Sequence, residues 1–287
     1  MANLKEIRNR ISSIGSTMQI TSAMKMVSAA KLKKATDTIT AMRPYSEKLT
    51  EIIQNVSSTL EGENSSVYSQ VREVKNVLFI TVTSNRGLCG GFNANIIKQI
   101  NVLANTAFKG ANIDLLTIGK KGNDILKKSF HVVDNQSSLY DHFDFEHTAV
   151  IAEHVMEAFV NEKYDSIQIV YNQFKNAATQ NVVTEQFLPL LPIETEATAA
   201  ASDYIYEPSK EEIIETLIPL SLKTQLFKAI ADSVASEHGA RMTAMHKATD
   251  NAQELRDALK LTYNKARQAA ITNEILEIVG GAEALKN

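Results

Sequence analysis

Two runs of apolar residues spaced by threes and fours open and close this chain, and no compact domain can absorb either of them. From Leu4 the pattern runs through Ile7, Ile11, Ile14 and Met18, the seam of a coiled coil rather than the broader stripe of a globular helix. Met24 and Val27 extend it, and Ile39, Met42, Tyr45, Leu49, Ile52, Val56 and Leu60 resume it. Pro44 is the only strong breaker before the loop Glu61-Gly62-Glu63-Asn64-Ser65-Ser66, so the spacing predicts one long helix, kinked near Pro44. Residues 209–285 behave alike. Leu255, Leu259, Thr262, Ala266 and Ala269, then Ile271, Ile275, Ile278, Ala282 and Leu285, repeat the spacing, with Pro219 and Gly239 the interruptions before Gly280. Pro219 reads as the first turn of a restarted helix. Patterns this long imply a coiled coil, a membrane span or a helical repeat; charged residues exclude the span, and no repeating unit is present.

Between the runs the texture alternates. Residues 74–83 read as a strand, followed by a glycine-rich loop and a helix over 93–108. Strands near 113–118, 131–133, 166–171 and 182–188 are separated by helices over 120–129 and 146–162, the signature of a mostly parallel sheet with helices on its faces. Residues 189–208, with Pro189, Pro192 and Pro208, read as the way out. The expected fold class is therefore α/β: a long antiparallel coiled coil of N- and C-terminal helices with an inserted Rossmann-like α/β domain. Its predicted parts are a helix over 1–60, the inserted domain over 70–195 and a second helix over 208–287. At 1.5 Å per residue the helices measure about 85–90 Å and about 115 Å, so roughly 15 residues at the C-terminus outrun the partner helix. That stretch is apolar on more than one face, and a lone helix of this kind needs an external sleeve.

Composition removes several classes of function. The first 50 residues hold nine basic and three acidic side chains, a local +6, whereas the whole chain carries -3 and the remainder therefore -9. That is a basic face on one helix rather than a polycation for nucleic acid. The single cysteine, Cys89, allows no internal disulfide, and with no apolar leader after Met1 it points to a cytoplasmic chain. No apolar run approaches a bilayer-spanning length, so contact with a membrane is expected through a partner and without lipid insertion.

The loop Ser84-Asn85-Arg86-Gly87-Leu88-Cys89-Gly90-Gly91-Phe92-Asn93 sits where α/β folds bind phosphate, after a strand and before a helix. Its spelling fits neither dinucleotide nor P-loop fingerprints, so a tight structural turn is the better reading. Cys89 has no base fixed beside it by sequence and reads as a small buried thiol. His142, His147 and His154 lack metal-ligand spacing. No catalytic, cofactor or metal site is expected. From the residues alone, an enzyme binding a nucleotide or sugar phosphate at the loop and a free coiled-coil adaptor remain rivals to a partner-bound rod.

Three motifs then carry a resemblance that runs over essentially the whole chain. The first spans Ile7-Arg8 through Ile20-Thr21-Ser22-Ala23-Met24-Lys25-Met26-Val27 to Arg43-Pro44-Tyr45, and the second is the glycine-rich loop. The third and most specific is Ala248-Thr249-Asp250-Asn251-Ala252, then Tyr263-Asn264-Lys265-Ala266-Arg267-Gln268-Ala269-Ala270-Ile271-Thr272-Asn273-Glu274, with Glu277, Gly281 and Ala282. With these the chain resembles the γ subunits of F-type ATP synthases, the rotor of the F1 motor. The resemblance implies a non-catalytic central shaft that couples proton or sodium flow through the membrane sector to ATP synthesis or hydrolysis in a ring of α and β subunits. It implies that Arg267, Gln268, Thr272 and Glu274 meet β catch loops, that Met24 and Lys25 neighbour the β lever, and that the basic first helix faces acidic lever segments. It further implies docking to ε and the membrane c-ring, with Tyr204 and Tyr206 near ε, at the cytoplasmic face of a bacterial inner membrane. Lacking the cysteine pair of thiol-regulated photosynthetic members, the chain is not expected to carry that switch.

Overall fold

The computed structural model describes residues 4–58, 67–190 and 210–284. Tyr204 and Tyr206, the loop at 61–66 and most of the 189–208 linker lie outside the described residues, as do the side chains of Ile52 and Val56. The chain forms two compact units: Met1–Ser28 with Met242–Asn287, and Ala29–Arg241. Helix α1 (Leu4–Ser58) and helix α5 (Lys210–Ala284) each contribute to both. Both are continuous across their prolines, so α5 is not restarted at Pro219.

The larger unit is built on β1 (Asn76–Val82), whose run of apolar and β-branched residues is buried on both sides. β2 (Asn112–Ile118) and β4 (Ser166–Phe174) flank it in parallel, β3 (His131–Asn135) pairs in parallel with β2, and β5 (Gln180–Leu188) closes the other edge antiparallel to β4. The resulting order is β3-β2-β1-β4-β5. A hairpin suffices for the antiparallel edge, whereas each parallel step needs a crossover. Those crossovers are α2 (Phe92–Asn105), α3 (Lys120–Leu126) and α4 (Phe145–Val160).

Because successive side chains of a strand point to opposite faces, β1 feeds two cores. Val77 and Phe79 pack with Ile96 and Ile100 of α2 and Leu126 of α3. Leu78, Ile80 and Val82 pack with Ile151, Val155 and Phe159 of α4. Here α5 joins in. Ile218, Leu222, Leu226, Ala229 and Ile230 are buried in the same core, so this part of α5 is a wall of the sheet as well as a partner for α1. In the same unit Leu32, Ala35 and Ile39 of α1 pack with Ala231 and Ala235 of α5.

In the smaller unit the two ends run antiparallel. Arg8 Nη2 donates to Tyr263 Oη at 2.9 Å, and the Thr21 and Thr249 hydroxyls are 2.8 Å apart. A step up α1 thus answers a nearly equal step back along α5. In this unit α1 buries or half-buries Leu4, Ile7, Ile11, Ile14, Met18, Thr21, Lys25 and Ser28, a strict alternation of threes and fours, with Gly15, Ser22 and Met24 half-buried beside it. On α5 they include Met245, Thr249, Ala252, Arg256, Leu259, Tyr263, Ala266 and Ala270. This corrects the seam in detail: Val27 is 57% exposed and Leu255 53%, and Tyr45, Thr262 and Ala269 also face solvent. The heptad phase carries straight through Thr21, Lys25 and Ser28, and small or long-stemmed polar residues fill it because a helix pair leaves room for a methyl or an alkyl stem but not for a charge.

Candidate partner-binding site

The C-terminal part of α5 emerges from its pairing at the point the antiparallel register dictates. All residues from 271 to 282 are exposed, and among them Ile271, Ile275, Leu276, Ile278 and Val279 each show about half or more of their surface. At 3.6 residues per turn these five side chains cover about 160° of the helix. Moving such a side chain out of water stabilises by about 1.5–3 kcal/mol when burial is complete, so the arc is a strong standing preference for an apolar cover. Arg267, Gln268, Thr272 and Glu274 are exposed on the same stretch. By the same helical geometry Gln268 and Thr272 fall within the arc, while Arg267 and Glu274, seven residues apart, share its border. Thr272 Oγ1 donates to the Gln268 carbonyl at 3.0 Å, which holds the hydroxyl against the helix.

Met24 and Lys25 stand differently. Both are half-buried, Lys25 in the seam itself, whereas Met26 is 69% exposed and Val27 and Ile20 are exposed beside it. In the smaller unit the freely displayed large apolar side chains of α1 are therefore Ile20, Met26 and Val27. Val27, which its spacing placed in the seam, is thus part of this exposed surface.

The glycine-rich loop is built as a turn whose polar groups satisfy one another. Asn93 Oδ1 accepts from the Ser84 backbone N–H at 2.9 Å, Asn93 Nδ2 donates to Ser84 Oγ at 2.8 Å, and Ser84 Oγ donates to the Arg86 carbonyl at 2.7 Å. Leu88 and Gly90 both have φ near +60°, a conformation that costs a leucine and not a glycine, and Leu88 is turned out into solvent. Cys89 is buried with Phe92 and Ala240, and burial pushes its thiol up in spite of the Ser84 hydroxyl beside it. A thiol so placed is held as a neutral packing group.

From above, α5 reaches into this loop. Arg241 and Glu237, both nearly buried, pair at 2.6 Å. Arg241 Nη2 donates to the Arg86 carbonyl at 3.1 Å. Burial raises Glu237 above the ordinary carboxylate value against the pull of Arg241, Lys31 and Arg86, and burial with the charges of Arg241 and Lys31 holds His238 down to about 4. None of this was visible in the sequence, since the partners are 155 residues apart; the one available signal was a Glu and an Arg spaced i, i+4 on a helix. His147 instead belongs to the start of α4, where its ring nitrogen meets the capping carboxylate of Asp144 at 2.7 Å. Among the described residues no group of three or more His, Cys, Asp or Glu side chains is arranged to hold a metal ion.

The ATP synthase family model matches residues 3–285 of this chain. The chain is 67% identical over 285 residues to the ATP synthase gamma chain of Flavobacterium johnsoniae, covering 99% of each. Among solved structures it resembles a chain of the Tetrahymena thermophila mitochondrial ATP synthase central stalk and c-ring, at 26% identity and a TM-score of 0.59 over 80% of this chain and 99% of that one. A chain of the Euglena gracilis mitochondrial ATP synthase shares the fold, with a TM-score of 0.72 and 21% identity over 98% of this chain and 94% of that one.

Proposed function

This chain belongs to the ATP synthase gamma-chain family, and from that premise we propose how its surfaces serve as a rotor. It is a non-catalytic subunit, the central stalk of F1, and no helix among the described residues is long and apolar enough to cross a membrane. Its place is peripheral to the membrane complex. In the proposal, an α3β3 ring encloses the apolar arc of α5, with Gln268 and Thr272 inside that collar and Arg267 and Glu274 at its border as polar contacts to β. Met24 and Lys25, with exposed Met26 and Val27 beside them, face the β lever, and Tyr204 and Tyr206 meet ε. The foot docks on the c-ring at the cytoplasmic face of a bacterial inner membrane, where proton or sodium flow turns it. Functionally the chain divides as residues 1–60, 70–195 and 208–287.

The exposed apolar arc of residues 271–282 is the observation that carries this reading, because a helix so clothed is at rest only inside a partner. Rotation follows from asymmetry. The arc covers one side of the helix and the charged border another, so each of three chemically equal sites meets a different face, and only such differential affinity lets ligand closure drive a turn. Replacing Ile275 and Ile278 together by Asp tests it. These side chains are exposed in the chain by itself, so its own stability should stay within about 0.5 kcal/mol. Co-purification with α and β chains and ATP-driven ion pumping should fall by about tenfold or more. Wild-type assembly and pumping in that variant would overturn the collar.

A further inference from the structure

In a doubly wound sheet the crevice for a ligand opens where the strand order reverses, at the carboxyl ends of the two strands that part there. In β3-β2-β1-β4-β5 those strands are β1 and β4, and their carboxyl ends lead into the glycine-rich loop and the β4–β5 hairpin. One turn of α5, residues 237–241, occupies that place. Ala240 packs with Cys89 and Phe92 of the loop. Gly239 comes so near the hairpin that an added Cβ would lie 3.1 Å from the Ala177 carbonyl oxygen. Asn172 of β4 ties the assembly underneath, donating to the Phe92 carbonyl at 3.2 Å. Arg241 completes it: one face of the guanidinium fork is held by Glu237, and the other is spent on the backbone of Arg86.

We propose that Arg241 is a positioning residue that keys α5 to the inserted domain, so that turning of this helical segment passes to the sheet through the glycine-rich loop. The physical case is directional. Apolar packing of α5 on the sheet resists separation, but it resists sliding and rotation weakly because it has no preferred bond angle. A guanidinium clamped between a carboxylate and a carbonyl, in a site closed to water, has such an angle. Glu237 alone would be a costly buried charge, and with Arg241 it becomes the anchor of the fork. The proposal draws its mechanical meaning from the rotor reading above, while the clamp itself is a property of the chain.

Cys89, the sole thiol of the chain and a buried residue of the loop itself, reports the clamp. In the complex assembled with its partner subunits, Arg241→Gln should raise the rate of Cys89 modification by a maleimide about tenfold to a hundredfold, as the loop opens more often. The ratio of ions pumped to ATP hydrolysed should fall while ATP turnover persists. Arg241→Lys keeps a charge beside Glu237 and loses the fork; it should give a smaller rise of about threefold to tenfold, and it carries the same comparison if Arg241→Gln does not accumulate. A Cys89 rate within about twofold of wild type in either folded variant overturns the clamp. A freed thiol with an unchanged pumping ratio overturns its mechanical role and leaves the family reading intact. Loss of the collar contacts described above would instead abolish assembly and leave Cys89 protected in the free chain.

Discussion

Helices α1 and α5 contribute to both compact units, and they are used differently in each. In the unit made from the chain ends, the seam is thin and polar: Thr21 meets Thr249, Arg8 meets Tyr263, and Lys25, Ser28 and Arg256 stand at core positions. In the unit that holds the sheet, α5 is buried nearly all round, with Leu222, Leu226, Ala229 and Ile230 in the main core and Ala231 and Ala235 against α1. A helix segment buried on nearly every side gains from the whole core around it, whereas a thin polar seam gains little from its own partner. The contrast teaches that self-sufficiency is concentrated around the sheet. In the rotor reading proposed above, the paired ends are completed by subunits outside the chain, whose binding adds stability by mass action.

The sharpest way to break this contrast is a cavity in the thick region. Leu226 is fully buried, and Leu226→Ala should lower global stability by about 2–5 kcal/mol, read from hydrogen-exchange protection of β1 amides in the full chain. A loss below about 1 kcal/mol would mean that α5 is not a wall of the sheet. Next in size is a pH effect at the loop. Because His238 titrates near 4 in the folded chain against 6.5 ordinarily, the unfolded chain takes up that proton first as pH falls. Stability from this group is therefore fully present above about 6.5, declines between about 6.5 and 4, and is lost below, a swing of about 1–3 kcal/mol that His238→Asn should remove. Glu237, raised by burial, works in the opposite sense, favouring the folded chain at acid pH and opposing it as pH rises past the ordinary carboxylate value, so the variant isolates the histidine slope. An unchanged pH profile in His238→Asn would place the imidazole in water. The smallest expected effect is the most discriminating for the thin region: Leu255→Ala should change stability by less than about 0.5 kcal/mol, since Leu255 lies off the seam. A loss above about 1 kcal/mol would restore Leu255 to the interface and displace Arg256.

The sequence carried the elements well because each rests on a local rule. Runs such as Val77-Leu78-Phe79-Ile80 are strands in almost any context, and the three-four spacing at both ends is too long to be anything but extended helix. The antiparallel pairing followed from the same count. What it did not carry were choices made by close approach. Leu255 outscores Arg256 in hydrophobicity, yet the arginine stem fills the seam position, and Val27 outscores Ser28, yet the hydroxyl of Ser28 folds back on the Met24 carbonyl and lets the helices near each other. The loop reading succeeded for the turn itself, spelled in its glycines and Asn93. Its clamp by Arg241 escaped notice because nothing local marks a carbonyl as spoken for by a side chain far along the chain.

The unbroken run of α5 from Lys210 to Ala284 has an evolutionary corollary. Inserting or deleting one residue anywhere within it would swing everything downstream by about 100°, throwing the face that covers the sheet, the stripe that meets α1 and the greasy tip out of phase with one another. Descendants of this gene are thus free to swap side chains along the helix but not to change its count, and differences in length among them should gather outside the two great helices.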